Sequence, residues 1–298
     1  MASTASVSPP ARWRSISRKT WTYIGLSAIP LWATWPALSL QTWQIPSFEC
    51  LALVFLVASL LLGCLRVFAA TPGQPEPSTG RLWISSIAFA LAMTGSAVFF
   101  LMATHYIPAA EANLIQFLWP AMIIALGAAL GVFRLKLRYI AGIALGFAGV
   151  AVLSRGATLT RSYVGIGLAL LAGLSWALYC LFRLRWHETS TALLVRGFGL
   201  AAFTCAVLHL LLESTVIPSI GSAAAAVVVG IVPGALANWM WDHGFRKGNS
   251  QQLTVLAYTS PLCSALLLVV LGLESVTPTL VTGAGLIVMA ALLSRTPS

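Results

Sequence analysis

No Asp, Glu, Lys or Arg stands between Lys19 and Glu49, between Arg81 and Glu111, between Arg138 and Arg155, or between Glu213 and Asp242. Runs like these cannot cover a soluble globule, whose charged fraction is about 25%; here 8% of the chain is charged and 59% is hydrophobic. A helix of roughly 20 such residues crosses about 30 Å of hydrocarbon. In that medium the backbone must satisfy its own polar groups, which a helix does within one segment. The sequence therefore describes an all-α membrane protein whose surroundings are the lipid bilayer.

Cutting the chain at its charges, prolines and glycines predicts ten transmembrane helices, near 21–41, 48–68, 82–104, 108–132, 138–154, 163–183, 190–212, 222–243, 251–272 and 278–294. Residues 1–20 form a tail. The basic start (Arg12, Arg14, Arg18, Lys19) resembles a signal peptide, but the run that follows is longer than an h-region, contains Pro30 and Pro36 and lacks a cleavage pattern. It is read as an uncleaved first span. The fifth and tenth spans are short and carry Gly142, Gly146 and Gly149, and Gly283 and Gly285, which suit close helix packing. Thr71 to Ser78 is the one extended loop expected.

The net charge of +10 would suggest nucleic acid in a soluble protein. Here the basic residues sit in short loops on one side, leaving only Arg155 and Arg161 on the other, and Arg196 within a span. That bias places both termini in the cytoplasm, and no nucleic-acid partner is expected.

The chain also repeats. Pro120, Gly131 and Gly142 recur 141 residues later as Pro261, Gly272 and Gly283, and Tyr23-Ile24-Gly25 recurs 140 later as Tyr163-Val164-Gly165. Residues 21–155 and 156–298 are thus expected to be two five-helix repeats. Because five is odd, the second enters the membrane from the opposite side, giving two inverted five-helix repeats. Secondary transporters use this architecture, with the substrate near the midplane between repeats.

At mid-depth the spans bring aromatic and amide side chains: Trp32, Trp35, Ser96, Phe99, Phe100, Asn113, Gln116, Trp119, Trp176, Tyr179, Asn238 and Tyr258. Amides in hydrocarbon need partners, so Asn113, Gln116 and Asn238 are expected to face the interior or a wet cavity. Indole and phenol rings around them would suit a flat apolar solute with a polar end. The mid-depth tryptophans serve either as pocket lining or as packing. Trp13, Trp21, Trp43, Trp83, Trp186 and Trp241 are assigned to interfacial belts. Pro120, Pro233 and Pro261 are candidate hinges or plain kinks.

The seven acids lie at or near helix ends, so the sequence predicts no mid-depth carboxylate to exchange a proton against a cationic drug. That favours uniport. Arg196 can snorkel to the surface rather than meet an anionic substrate, while His105 and His243 read as interface residues. Glu111 suits a helix N-terminus. Five scattered cysteines without CxxC or CxxH spacing predict neither disulfide nor metal. No Walker, nucleophile-elbow or HExxH motif is present, so no cofactor and no enzyme chemistry are expected. The layout fits a monomer and leaves the oligomeric state open.

Ten spans in two inverted repeats, with Gly272-Leu273-Glu274 before a short glycine-bearing last helix, resemble the drug/metabolite transporter superfamily in its EamA-type exporter branch. The run Ala110-Glu111-Ala112-Asn113-Leu114-Ile115-Gln116-Phe117-Leu118-Trp119-Pro120 is similar to that of bacterial aromatic amino acid exporters. The resemblance implies a small-molecule substrate, an aromatic or neutral amino acid, exported across a bacterial inner membrane. A broad drug or metabolite exporter is the alternative. It also implies a central cavity built by spans 1 to 4 and 6 to 9.

Overall fold

The computed structural model describes residues 16–68, 79–153, 162–185, 191–273 and 275–293. The amino-terminal tail before Ile16, the Thr71–Ser78 loop with the two residues before it, Arg155, Arg161, Trp186 and Glu274 lie outside them. Every described element is helical: α1 (Arg18–Trp32), α2 (Trp35–Thr42), α3 (Ser47–Phe68), α4 (Thr79–Thr104), α5 (Ala109–Gln116), α6 (Trp119–Ala129), α7 (Leu137–Leu153), α8 (Tyr163–Arg185), α9 (Thr191–Leu212), α10 (Ile220–Val229), α11 (Ala237–Lys247), α12 (Ser250–Leu256), α13 (Thr259–Val270) and α14 (Pro278–Leu293). A π-helical turn, Gly230–Leu236, joins α10 to α11.

Four of the expected spans are interrupted, each at a proline. Proline offers no N–H to the carbonyl four residues back. Pro120 opens the α5/α6 break at Phe117–Leu118, and Pro261 the α12/α13 break at Ala257–Tyr258, where the two halves bend by 41°. Pro36 follows the α1/α2 break, and Ser264 on α13 donates to the Ala33 carbonyl exposed there (3.1 Å). Pro233 sits inside the π turn, and the Asn238 side chain donates to the carbonyls of Pro233 (3.1 Å) and Gly234 (2.7 Å).

Among the described residues six helices are long and apolar enough to cross a membrane, with the bent α12/α13 pair a possible seventh. The helices α7 and α14 are apolar but have only 17 and 16 residues, and α1 and α2 are separate short pieces. The molecule is thus a multi-pass membrane protein.

The helix pairs that pack most extensively are α3 with α9, α7 with α14, α4 with α8, and α1 with α11. Around the first and third of these a ring cluster forms the core, with Phe198 5.9 Å from Phe55 and 4.8 Å from Phe89. Glycine brings α7 and α14 together: a Cβ on Gly149 would lie 2.9 Å from the Gly283 carbonyl, and one on Gly283 3.0 Å from that of Gly149. Gly131 and Gly272, at φ +69° and +71°, end α6 and α13 in the left-handed conformation that favours glycine. Each closes a Schellman motif, with Val132 N–H on the Gly127 carbonyl (2.7 Å) and Leu273 N–H on that of Leu268 (2.9 Å).

One end of the bundle, called here the basic end, gathers the start of α1, the end of α11 and the loop after α6. Arg18 Nε donates to the Gly248 carbonyl, and Gln251 Nε2 to that of Arg134. At the opposite end the Glu213 carboxylate accepts from the N–H groups of Phe48 and Glu49, capping α3. His209 Nδ1 lies 3.0 Å from the same carboxylate.

Candidate functional site

A cavity of about 1340 Å³ enters the bundle from the end opposite the basic one. Its mouth lies among Trp43, Ser47, Leu273 and Thr277, and its depth is reached by Trp32, Trp119, Trp176 and Asn238. The broken helices build it. Where α1, α5 and α12 stop, the chain turns Trp35, Gln116, Trp119 and Ser260 toward a common space. The carbonyl of Gln116, which Pro120 cannot bond, is received by α8, where a Cβ on Gly173 would come within 2.7 Å of it. Gln116 Nε2 donates to Ser96 Oγ (3.1 Å), which leaves the amide oxygen as an acceptor. No charged side chain is among the described lining residues.

Of the residues expected at a substrate site, Trp32, Trp35, Asn113, Gln116, Trp119, Trp176 and Asn238 line this cavity, as do Pro233 and Pro261. Phe99, Tyr179, Tyr258 and Pro120 do not. Tyr258 is fully buried and packs on α7, where Gly146 leaves room for its ring. Tyr179 lies below the floor, its ring 5.4 Å from that of Trp176. On α4 it is Phe100, not Phe99, that reaches the cavity. Asn238 spends both amide hydrogens on the π turn, so it shapes the wall as well as lining it. Ser39, Thr42, Ser260 and Ser264 also line the cavity. Their signal was present in the sequence: Trp32, Trp35, Ser39 and Thr42, then Ser260 and Ser264, follow the i, i+3, i+4 spacing of one helix face.

Two expectations from depth alone need correction. Trp241 is not an interfacial residue: it is 1% exposed and wedged beneath the floor, its ring 5.1 Å from Trp32 and 5.7 Å from Trp119. His243 is buried between Trp21 and Trp239, with ring centroids at 5.9 and 4.4 Å, whereas His105 is exposed.

Below Trp241 lies a buried charge pair whose members the sequence set near helix ends without pairing them. Arg183 on α8 donates to Asp242 on α11 through Nε (2.8 Å, to Oδ1) and Nη2 (3.1 Å, to Oδ2). Tyr179 Oη donates to the same Oδ1 (3.0 Å), and Arg246 Nη1 is 3.7 Å from Oδ2. Both partners of the main pair are under 5% exposed. A forked guanidinium on a carboxylate is the geometry that offsets the desolvation of two buried charges. Together with Trp241, Phe245 and the close Gly25/Gly244 crossing of α1 and α11, it seals the basic end. Among the described residues no group of three His, Cys, Asp or Glu is placed to hold a metal.

A bundle of broken helices around an uncharged aromatic cavity, open at one end and sealed at the other, is the build of a membrane transporter. The EamA-like transporter family model matches the chain twice, over residues 19–155 and 163–296, and the chain belongs to this family. It is 33% identical, over 94% of its length and 100% of the relative's, to the aromatic amino acid exporter YddG of Ancylobacter novellus. A solved crystal structure superposes with a TM-score of 0.86 at 30% identity, covering 93% of this chain and 99% of the other.

Proposed function

We propose that the chain is an inner-membrane exporter of aromatic and other neutral amino acids, working as a uniporter or secondary transporter by alternating access. The observation that carries this reading is the cavity itself: indoles at its floor, amides and hydroxyls on its walls, no charge among the described lining residues. Such a lining suits a flat ring attached to a net-neutral polar group. The relative named as an aromatic amino acid exporter supports the same substrate class.

Alternating access needs two halves that exchange roles. The proposal takes the chain as ten spans, with 21–155 and 156–298 as inverted repeats and the basic end in the cytoplasm. Several observations support it. The family model matches each half separately, and the two Schellman glycines stand at equivalent points of each. The packing pattern maps onto itself when the halves are exchanged: α4 on α8 becomes α11 on α1, while α3 on α9 and α7 on α14 map onto themselves. Gly25 meets α11 at the basic end, and its counterpart Gly165 meets Tyr106 and Ile107 at the other. Pro120, Pro233 and Pro261 are the hinges of this cycle, because each already marks a discontinuity. Trp119→Ala and Gln116→Ala should each lower tryptophan flux in proteoliposomes at least about tenfold; unchanged flux would remove the cavity as the substrate site.

The cavity's size favours a second reading. About 1340 Å³ exceeds the roughly 300–1,000 Å³ of pockets fitted to one small ligand, as a broad exporter of drugs or metabolites would require. Competition of labelled tryptophan flux by unrelated lipophilic compounds would favour that reading; selective competition by amino acids would favour the first.

A further inference from the structure

Arg196 stands inside a span, about 8 Å along α9 from its start at Thr191. Neither α9 nor α4, which packs beside it, carries an Asp or Glu. Among the described residues Arg196 makes no ion pair, and its Nη1 is buried without a hydrogen-bond partner. Its guanidinium lies instead over the Trp83 ring of α4, 4.9 Å from the centroid. Trp83 is 44% exposed and about 6 Å into α4, the depth of an interfacial indole. Both residues head stripes that face away from the bundle. Phe203, Val207 and Leu210 follow Arg196 at i+7, i+11 and i+14, Ile87 and Leu91 follow Trp83 at i+4 and i+8, and all five are exposed. This corner is no part of the cavity lining.

We propose that Arg196 and Trp83 form a headgroup site for an acidic phospholipid of the basic-end leaflet, its phosphodiester on the guanidinium and its acyl chains along the exposed stripes of α4 and α9. A cation at the edge of the hydrocarbon is costly without a counter-charge. No described carboxylate supplies one, whereas lipid phosphates lie at the level of an interfacial indole. Arginine suits the task because its planar fork can take two phosphate oxygens while its face rests on an aromatic ring. A long arginine side chain would otherwise snorkel into water; the Trp83 face holds this one beside the membrane. Charge selects among lipids. In phosphatidylcholine the headgroup's own ammonium already neutralises the phosphate, while in phosphatidylglycerol the phosphate keeps its charge for the protein. The apolar stripes add a part of the site that free phosphate cannot use, so the ligand is a lipid rather than a dissolved ion.

The full-length protein in an uncharged detergent is titrated with phosphatidylglycerol or with phosphatidylcholine of the same acyl chains, and bound lipid is counted by native mass spectrometry. Phosphatidylglycerol should bind at least about tenfold more tightly, equivalent to about 1.4 kcal/mol, and should raise the melting temperature saturably because it binds the folded state. In Arg196→Gln the preference should fall below about threefold. Inorganic phosphate should leave the melting temperature where it is. Equal binding of the two lipids by the wild type, a folded Arg196→Gln that keeps the preference, or inorganic phosphate that reproduces the effect of the lipid would each overturn the proposal. A second measurement needs no variant to fold. In wild-type proteoliposomes, a phosphatidylglycerol with a photoreactive diazirine in its acyl chain should label residues 83–91 of α4 and 196–207 of α9, and excess unlabelled phosphatidylglycerol should suppress that labelling where phosphatidylcholine does not. Labelling spread evenly around the bundle, or suppressed equally by both lipids, would overturn the proposal as well.

Discussion

Gly244→Ala tests the backbone contact between α1 and α11 at the basic end. At this crossing α1 and α11 touch backbone to backbone: a Cβ on Gly244 would lie 2.5 Å from the Gly25 nitrogen and 2.8 Å from the Trp21 carbonyl. Ordinary contact begins near 3.4 Å, so α1 must retreat by about 1 Å. Neither obstacle is a flexible side-chain end that can swing aside. Overpacking of this kind costs about 1–3 kcal/mol. The counterpart of this crossing, Gly165 against Tyr106 and Ile107, is intact at the open end, so in the cycle proposed above the crossing persists whichever end is open and the cost falls on the whole fold. Thermal unfolding in detergent should therefore move to lower temperature by the equivalent of about 1–3 kcal/mol, while tryptophan flux per folded molecule stays within about twofold of wild type. A wild-type melting temperature would refute the claim that α1 and α11 meet backbone to backbone here.

The other expectations concern single joints. Pro120→Ala restores an N–H to the Gln116 carbonyl and lets α5 run into α6, so tryptophan flux should fall while the melting temperature holds or rises; full flux would show that the break is not used. Glu213→Ala removes the carboxylate that caps α3 from α9, and should cost about 1–2 kcal/mol in thermal unfolding. Gly272→Ala forces a side chain onto φ +71° and should cost about 1 kcal/mol, with flux per folded molecule unchanged.

The sequence announced the membrane, the helical class and the broken spans because each depends on local chemistry: uncharged runs for the bilayer and its helices, prolines for the breaks. It announced half of the cavity in the same way, since amides and indoles at mid-depth have few alternatives to an interior face. What stayed hidden depends on rotation and pairing. Tyr179 and Tyr258 share a depth with the lining residues but face other helices, and Phe99 differs from Phe100 by one helical step. Arg183 and Asp242 were read near the ends of their spans, where α8 and α11 carry them, but nothing local says that they pair. Two opposite charges on different helices become partners only when packing brings them together. Trp241, next to Asp242, was read as interfacial by depth although its ring packs inward.

The central claim is that the aromatic, uncharged cavity carries neutral amino acids across the membrane. Flux of labelled tryptophan, phenylalanine and threonine in proteoliposomes, with and without a pH gradient, tests it most directly. The account predicts saturable flux, fastest for the two aromatic substrates and indifferent to the gradient, lost in Trp119→Ala. Absence of flux for all three would contradict it, leaving the transporter fold without this substrate.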